Sequence, residues 1–221
     1  MVDWFPLWLS LKVAAIATAL SLVIGLWLAY LLAHRRFRGL EILDAATALP
    51  LVLPPTVLGY YLLVVLGRES AIGRLYESVV GQPLVFTWQA AVVAATVHAF
   101  PLLVKTARAA LESVDRSCEK AARTLGASEW RVFWRVTLPL ARRSVFAAAV
   151  LAFARSLGDF GATLMVAGNI PGRTQTAAVA IYDAVESGNT LLARTLVLIL
   201  SAGAMLIVFA ANRLEHRRVR P

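Results

Sequence analysis

Five apolar runs, each near the length that crosses a bilayer, constrain this chain more than any other feature. They cover about residues 7–33, 45–66, 84–104, 144–167 and 191–211. A hydrocarbon core of about 30 Å takes about 20 residues of helix. With no water available, a spanning backbone must satisfy its own amides and carbonyls, so such runs form helices. A soluble domain of 221 residues could bury a core without them. The sequence therefore predicts an all-α integral membrane protein, one domain over residues 1–221, with five transmembrane helices.

Charge sets the orientation. Of 22 Lys and Arg, 16 fall in three places: residues 34–43, 105–143 and the tail that begins at Arg213. Arg35, Arg36 and Arg38 make up the first group, and Arg213, Arg217, Arg218 and Arg220 the last. The positive-inside rule makes that side cytoplasmic. Five spans then place the N-terminus outside and the C-terminus in the cytoplasm. The net charge of +9 is accounted for by these loops and calls for no nucleic acid. The first run has no basic stretch before it, so it reads as a retained span rather than a cleaved signal. Lys12 is placed to snorkel to the interface, with Trp4 and Trp8 as belt residues. Cys118, the single cysteine, forms no internal disulfide.

Between the third and fourth runs lies a basic segment, about residues 115–140, with two short helical patterns. Cys118, Ala121, Ala122 and Leu125 recur at helical spacing. Asp115 or Ser117 is placed to cap this helix, and Gly126 to end it in the left-handed conformation. Ser128 is placed to cap a second helix whose Trp130, Phe133, Trp134 and Leu138 share a face, with Pro139 closing it. The expected product is a helix–Gly–helix knob in the cytoplasm. An amphipathic loop lying on the lipid surface is the alternative.

The spacing within this knob resembles the EAA loop of permease subunits of binding-protein-dependent ABC importers. Ala121, Ala122, Gly126, Val136, Leu138 and Pro139 fall on that pattern. Lys120 stands where the pattern has glutamate, with Glu119 one residue earlier. The resemblance implies a transmembrane domain of ABC-importer type. It implies a coupling loop, with Glu119, Lys120, Ala121, Ala122, Leu125, Gly126, Glu129, Trp130, Leu138 and Pro139, that fills a groove on an ATPase subunit. The chain's lysines, Lys12, Lys105 and Lys120, close no phosphate-binding loop. ATP and Mg are therefore expected on the partner, with no cofactor bound by this chain.

The fourth run carries Arg155 about midway and Asp159 one helical turn on, so the two are expected to pair. A charge at such depth costs at least about 2.5–3.5 kcal/mol on insertion scales and marks either a structural pair or an ion pathway. Gly158 and Gly161 loosen this run, and Asn169 to Gly172 reads as a turn. Thr176 to Glu186 reads as a short helix outside the membrane. Pro50, Pro54 and Pro55 predict a bent or broken second span. His98 in the third run reads as a histidine hydrogen-bonded between helices, with a proton relay as the alternative.

Residues 154–176 and 49–63 resemble the molybdate-transport permease subunits, and that likeness runs nearly end to end. It implies a homodimeric permease over a pair of ATP-binding subunits, with an oxyanion-binding protein docking outside. The candidate pathway comprises Arg155, Asp159, Gly158, Gly161, Pro54 and Pro55. A sulfate, thiosulfate or tungstate permease shares the plan. From other classes, a self-sufficient secondary transporter or channel would use the same broken span and charges, and a membrane scaffold would leave the charges unexplained.

Overall fold

The computed structural model of the protein describes residues 3–35 and 38–216, and all regular structure among them is helical. Arg36, Arg217, Arg218 and Arg220 of the charge count lie outside the described residues. Among the described residues, four helical stretches are long and apolar enough to cross a bilayer: Phe5–His34, Trp88–Glu112, Glu129–Leu157 and Thr190–Phe209. A fifth exists only as a bent pair.

Helix α1 (Phe5–His34) begins with Pro6 in its first turn, where a missing amide costs nothing. Lys12 places its ammonium 3.6 Å from the ring centroid of Trp88, a cation–π contact that covers the charge within an apolar helix. Helices α2 (Leu40–Val52) and α3 (Pro55–Leu66) meet at 114°. The adjacent prolines Pro54 and Pro55 explain the bend: neither donates an amide, and each pushes the residue before it out of the α region. Leu53 and Pro54 are accordingly extended, with ψ of 138° and 139°.

The stretch expected as a plain loop, residues 67–83, contains α4 (Ala71–Val80). Ser70 caps it by accepting the Gly73 amide at 2.8 Å, and Arg68 pairs with Glu77 at 3.2 Å. Helix α5 (Trp88–Glu112) starts four residues later than the expected third span and runs to Glu112, so the basic segment 105–112 is helix rather than loop.

Helix α6 (Arg116–Thr124) is followed by α7 (Glu129–Val132), a π-helical turn (Phe133–Thr137) and α8 (Leu138–Leu157). Two expectations are corrected here. Pro139 does not close the knob's second helix. It sits in the first turn of α8, and the wide π-turn before it, in which the Leu138 amide reaches back to Phe133 O, lets the helix run on. The fourth span is also not 144–167: it runs unbroken over Glu129–Leu157, stops at Gly158, and resumes as the separate α9 (Gly161–Ala167).

The remaining helices are α10 (Ala177–Glu186), at the place expected for a short helix, and α11 (Thr190–His216). In α10 the buried face is Ala177, Val179, Ala180 and Ala184, whereas Tyr182 and Val185 are exposed. The core lies where α1, α5 and α8 pack, through small residues such as Ala99, Ala107, Ala148 and Ala152 around Leu103. A Cβ on Gly25 would stand 2.8 Å from Leu103 Cδ2, so glycine there sets how closely α1 lies on α5.

Candidate functional site

The knob is built as the sequence predicts at both ends of its first helix. Asp115 accepts the Ser117 amide at 2.8 Å and starts α6. Gly126 ends it at φ +81°, where the amides of Gly126 and Ala127 return to Arg123 O and Ala122 O. That conformation strains most residues with a Cβ, asparagine and aspartate least. Ser128 occupies the position before α7, but its hydroxyl makes no capping bond.

Inside the knob, a charged network ties α6 to the rest of the chain. Glu119 is only 2% exposed. Its carboxylate accepts the Thr137 hydroxyl at 2.6 Å, His34 Nε2 at 3.0 Å and Arg123 Nη2 at 3.4 Å. Arg123 also grips Glu129 with two nitrogens, at 2.7 and 3.2 Å, and the Tyr30 hydroxyl donates to Glu129 at 3.3 Å. Burial opposes the charge on Glu119. The Thr137 and His34 hydrogen bonds, with the positive charge of His34 and Arg123, outweigh it and hold the carboxyl below its ordinary range.

With Glu119 turned inward, the apolar stripe of α6 turns out. Cys118 and Ala121 are exposed, Ala122 is half-buried, and Leu125 is 89% exposed. This leucine, at the tip of a basic knob, is left uncovered among the described residues. Lys120 also faces solvent, so the departure from the EAA pattern lies on the outer surface while Glu119 anchors the knob from within. Trp130, Phe133, Trp134 and Leu138 do share a face, lining an apolar groove against Leu22, Val23, Leu26 and Trp27 of α1.

The pathway candidates converge on a second place, where the two chain breaks meet. A Cβ on Gly161 would lie 2.8 Å from Pro55 Cβ, and one on Gly59 would lie 2.7 Å from Met165 Cβ. Glycine on each helix thus lets α3 and α9 touch. Pro54, Pro55 and Gly158 are exposed, and Gly161 is half-buried.

Arg155 stands beside this junction, in the last turn of α8 rather than at mid-span. The direct Arg155–Asp159 pair expected from the sequence is absent among the described residues. Gly158 ends the helix, so Asp159 no longer follows on the same helical face. His98 of α5 stands between them instead. Arg155 Nη2 contacts His98 Nε2, and His98 Nδ1 lies 2.5 Å from Asp159 Oδ1. A guanidinium only donates, so Nε2 accepts from Arg155 and Nδ1–H donates to the carboxylate. Asp159 also accepts the amide of Thr163, at 3.2 Å, and its hydroxyl. His98 and Asp159 are 4% and 3% exposed, while Arg155 is only partly buried. The arrangement can hold a guanidinium at the edge of the packed core with its counter-charge one imidazole away.

Sequence reasoning placed His98 as an interhelical hydrogen bonder, which it is, but did not link it to either ion. Its partners lie 57 and 61 residues along the chain, beyond the reach of any periodicity.

Comparison with known proteins identifies the family of the chain and its fold. Residues 21–221 match the family described as "Binding-protein-dependent transport system inner membrane component". The molybdenum transport system permease protein ModB of Escherichia coli (strain K12) is 50% identical over 186 residues, 84% of this chain and 81% of that protein. The putative molybdenum transport system permease protein YvgM of Bacillus subtilis (strain 168) is 43% identical over 92% of this chain and 90% of its own length. Among solved structures, an inward-facing MetNI methionine ABC transporter chain superposes with a TM-score of 0.76. At 22% identity it covers 97% of this chain and 95% of that one, and shows the same fold.

Proposed function

Because the chain belongs to the inner-membrane components of binding-protein-dependent transport systems, we propose that it is the permease subunit of a molybdate importer. The energy source is ATP, hydrolysed with Mg on a separate subunit. The observation that carries this reading is the outward face of the knob. Cys118, Ala121 and Leu125 are presented to solvent at helical spacing, while Glu119 and Arg123 hold the helix from behind. Small side chains allow close approach by a partner's groove, and Leu125 gains burial only when one arrives. Full burial of such a side chain contributes about 1.5–3 kcal/mol.

In this reading the knob lies in the cytoplasm, the N-terminus outside, and two copies enclose one pathway beneath an extracytoplasmic oxyanion-binding protein. Closure of the ATPase pair pushes the knob, and the junction of α3 with α9 changes its packing. Arg155 faces the passing anion, with Asp159 and His98 fixing its position. Molybdate is the cargo because the E. coli relative, at 50% identity, is a molybdenum transport permease.

The test is uptake into proteoliposomes holding this chain, its ATPase and its binding protein, with molybdate, tungstate and sulfate in competition. ATP-dependent molybdate uptake that sulfate does not suppress is expected. Gradient-driven uptake by this chain alone would overturn the ATP coupling, and preferential sulfate uptake would overturn the cargo.

A further inference from the structure

We infer that the basic end of α1 and the knob together form a binding site for one anionic phospholipid, with a phosphodiester headgroup in a charged cavity and an acyl chain in the adjoining groove. The cavity, about 360 Å³, is lined by Tyr30, His34 and Arg35 of α1 and its margin, and by residues of the knob. Its two carboxylates are occupied, Glu119 by Thr137, His34 and Arg123, and Glu129 by Arg123 and Tyr30. Its other cations, Arg35, Arg116 and Lys120, make no ion pair within 4 Å among the described residues, although the charge of Arg35 reaches Glu129. Three cations around one polar cavity, with its acids already consumed, complement a phosphate.

The occupant is a lipid rather than a free anion because an apolar groove of about 790 Å³ lies just across the Tyr30–Trp27 stack from the cavity. The two share a wall. Tyr30 stacks on His34 at 4.4 Å on the polar side and on Trp27 at 6.0 Å on the apolar side; Trp27 meets Trp130 at 6.0 Å, and Trp130 meets Trp134 at 5.6 Å. From Leu22 to His34, α1 rises about 18 Å, and one leaflet of hydrocarbon is about 15 Å deep. Groove and cavity together therefore span about one leaflet, with the cavity at its headgroup end. Tryptophans at that level suit the boundary between apolar and wet phases. A free oxyanion would use only the charged half.

The site requires neither the cargo nor the ATPase, so its test is separate from transport. Full-length protein with Trp4, Trp8 and Trp88 changed to Phe keeps Trp27, Trp130 and Trp134 as reporters. It is placed in phosphatidylcholine nanodiscs doped, at equal mole fraction, with brominated phosphatidylglycerol or brominated phosphatidylcholine. Anionic lipid should quench at a mole fraction on the order of a hundredfold lower than zwitterionic lipid, from three cations at about 1 kcal/mol each. Combined R35Q, R116Q and K120Q should bring the two lipids together; R116Q alone should narrow the gap if the triple variant does not reconstitute. Equal quenching in the parent protein overturns the proposal and leaves the groove to ordinary boundary lipid or a second copy of the chain. So does loss of the preference on adding inorganic phosphate at constant ionic strength, which would assign the cavity to a free anion.

Discussion

Replacing Glu119 with alanine removes the acceptor at the centre of the knob, and the size of the effect follows from what remains. Thr137 is fully buried and its hydroxyl loses its only acceptor among the described residues. A buried polar group left unpaired costs about 1–3 kcal/mol. His34 loses its carboxylate, while Arg123 keeps Glu129. Breaking a buried ion pair from one side costs about 3–5 kcal/mol, and because Arg123 keeps a partner the lower end, about 3 kcal/mol, applies. That corresponds to roughly a hundredfold faster hydrogen exchange of the α6 amides relative to wild type. Glu119→Gln keeps an oxygen for Thr137 and loses only the charge, so it should fall between the two. The carboxyl is held below its ordinary value in the folded chain. Its contribution is therefore complete above the unfolded value of about 4.3 and is lost as pH falls through the lower, folded value. After correction for intrinsic exchange, acidified wild type should approach the glutamine variant. Protection of α6 in the alanine variant within about threefold of wild type, a gap of under 1 kcal/mol, would refute the reasoning.

Gly126→Ala should weaken binding of the ATPase subunit about fivefold, since φ +81° costs about 1 kcal/mol for a residue with a Cβ. Nothing lies within 4 Å of that Cβ, so Gly126→Asn, which tolerates the same conformation, should recover most of the affinity in a surface-binding assay. His98→Leu separates Arg155 from Asp159 and should cut ATP-driven uptake at least about tenfold in an assembled complex, given a cost of several kcal/mol for an unpaired buried charge. Uptake at the wild-type rate would leave the bridge without a role in transport. Gly161→Val drives a side chain into Pro55, 2.8 Å from the new Cβ, and should destabilise the chain by about 1–3 kcal/mol in thermal unfolding. Gly203→Ala, with open space around it in α11, should be neutral or slightly stabilising.

The spans were legible because lipid tolerates little besides apolar helix, and the ends of α6 because an aspartate cap and a left-handed glycine act locally. The bend between α2 and α3 was legible from Pro54 and Pro55 for the same reason. Pro139 misled, since its meaning depends on whether the preceding turn is α or π, and that is set by Phe133 and Thr137 packing into the core. The break at Gly158 was read only as loosening: a glycine permits a stop, but the stop is fixed by Asp159 binding His98 and Thr163. α4 was missed because the charges flanking it outweighed the cap at Ser70. The Arg155–His98–Asp159 bridge and the Glu119–His34 contact join residues 57 to 85 positions apart. Such contacts follow from packing, which a single sequence does not encode as a pattern.

The unbroken helix from Glu129 to Leu157 has a mechanical consequence. Trp130, on the knob, and Arg155, beside the two chain breaks, ride on one rod, about 38 Å apart along its axis. A stiff rod does not absorb a displacement at one end; it tilts or slides and delivers the motion to the other. The first point of compliance it meets is Gly158, one residue past its end. Force applied at the aromatic end therefore emerges as a change of angle between the rod and α9, at the spot where Gly161 rests on Pro55.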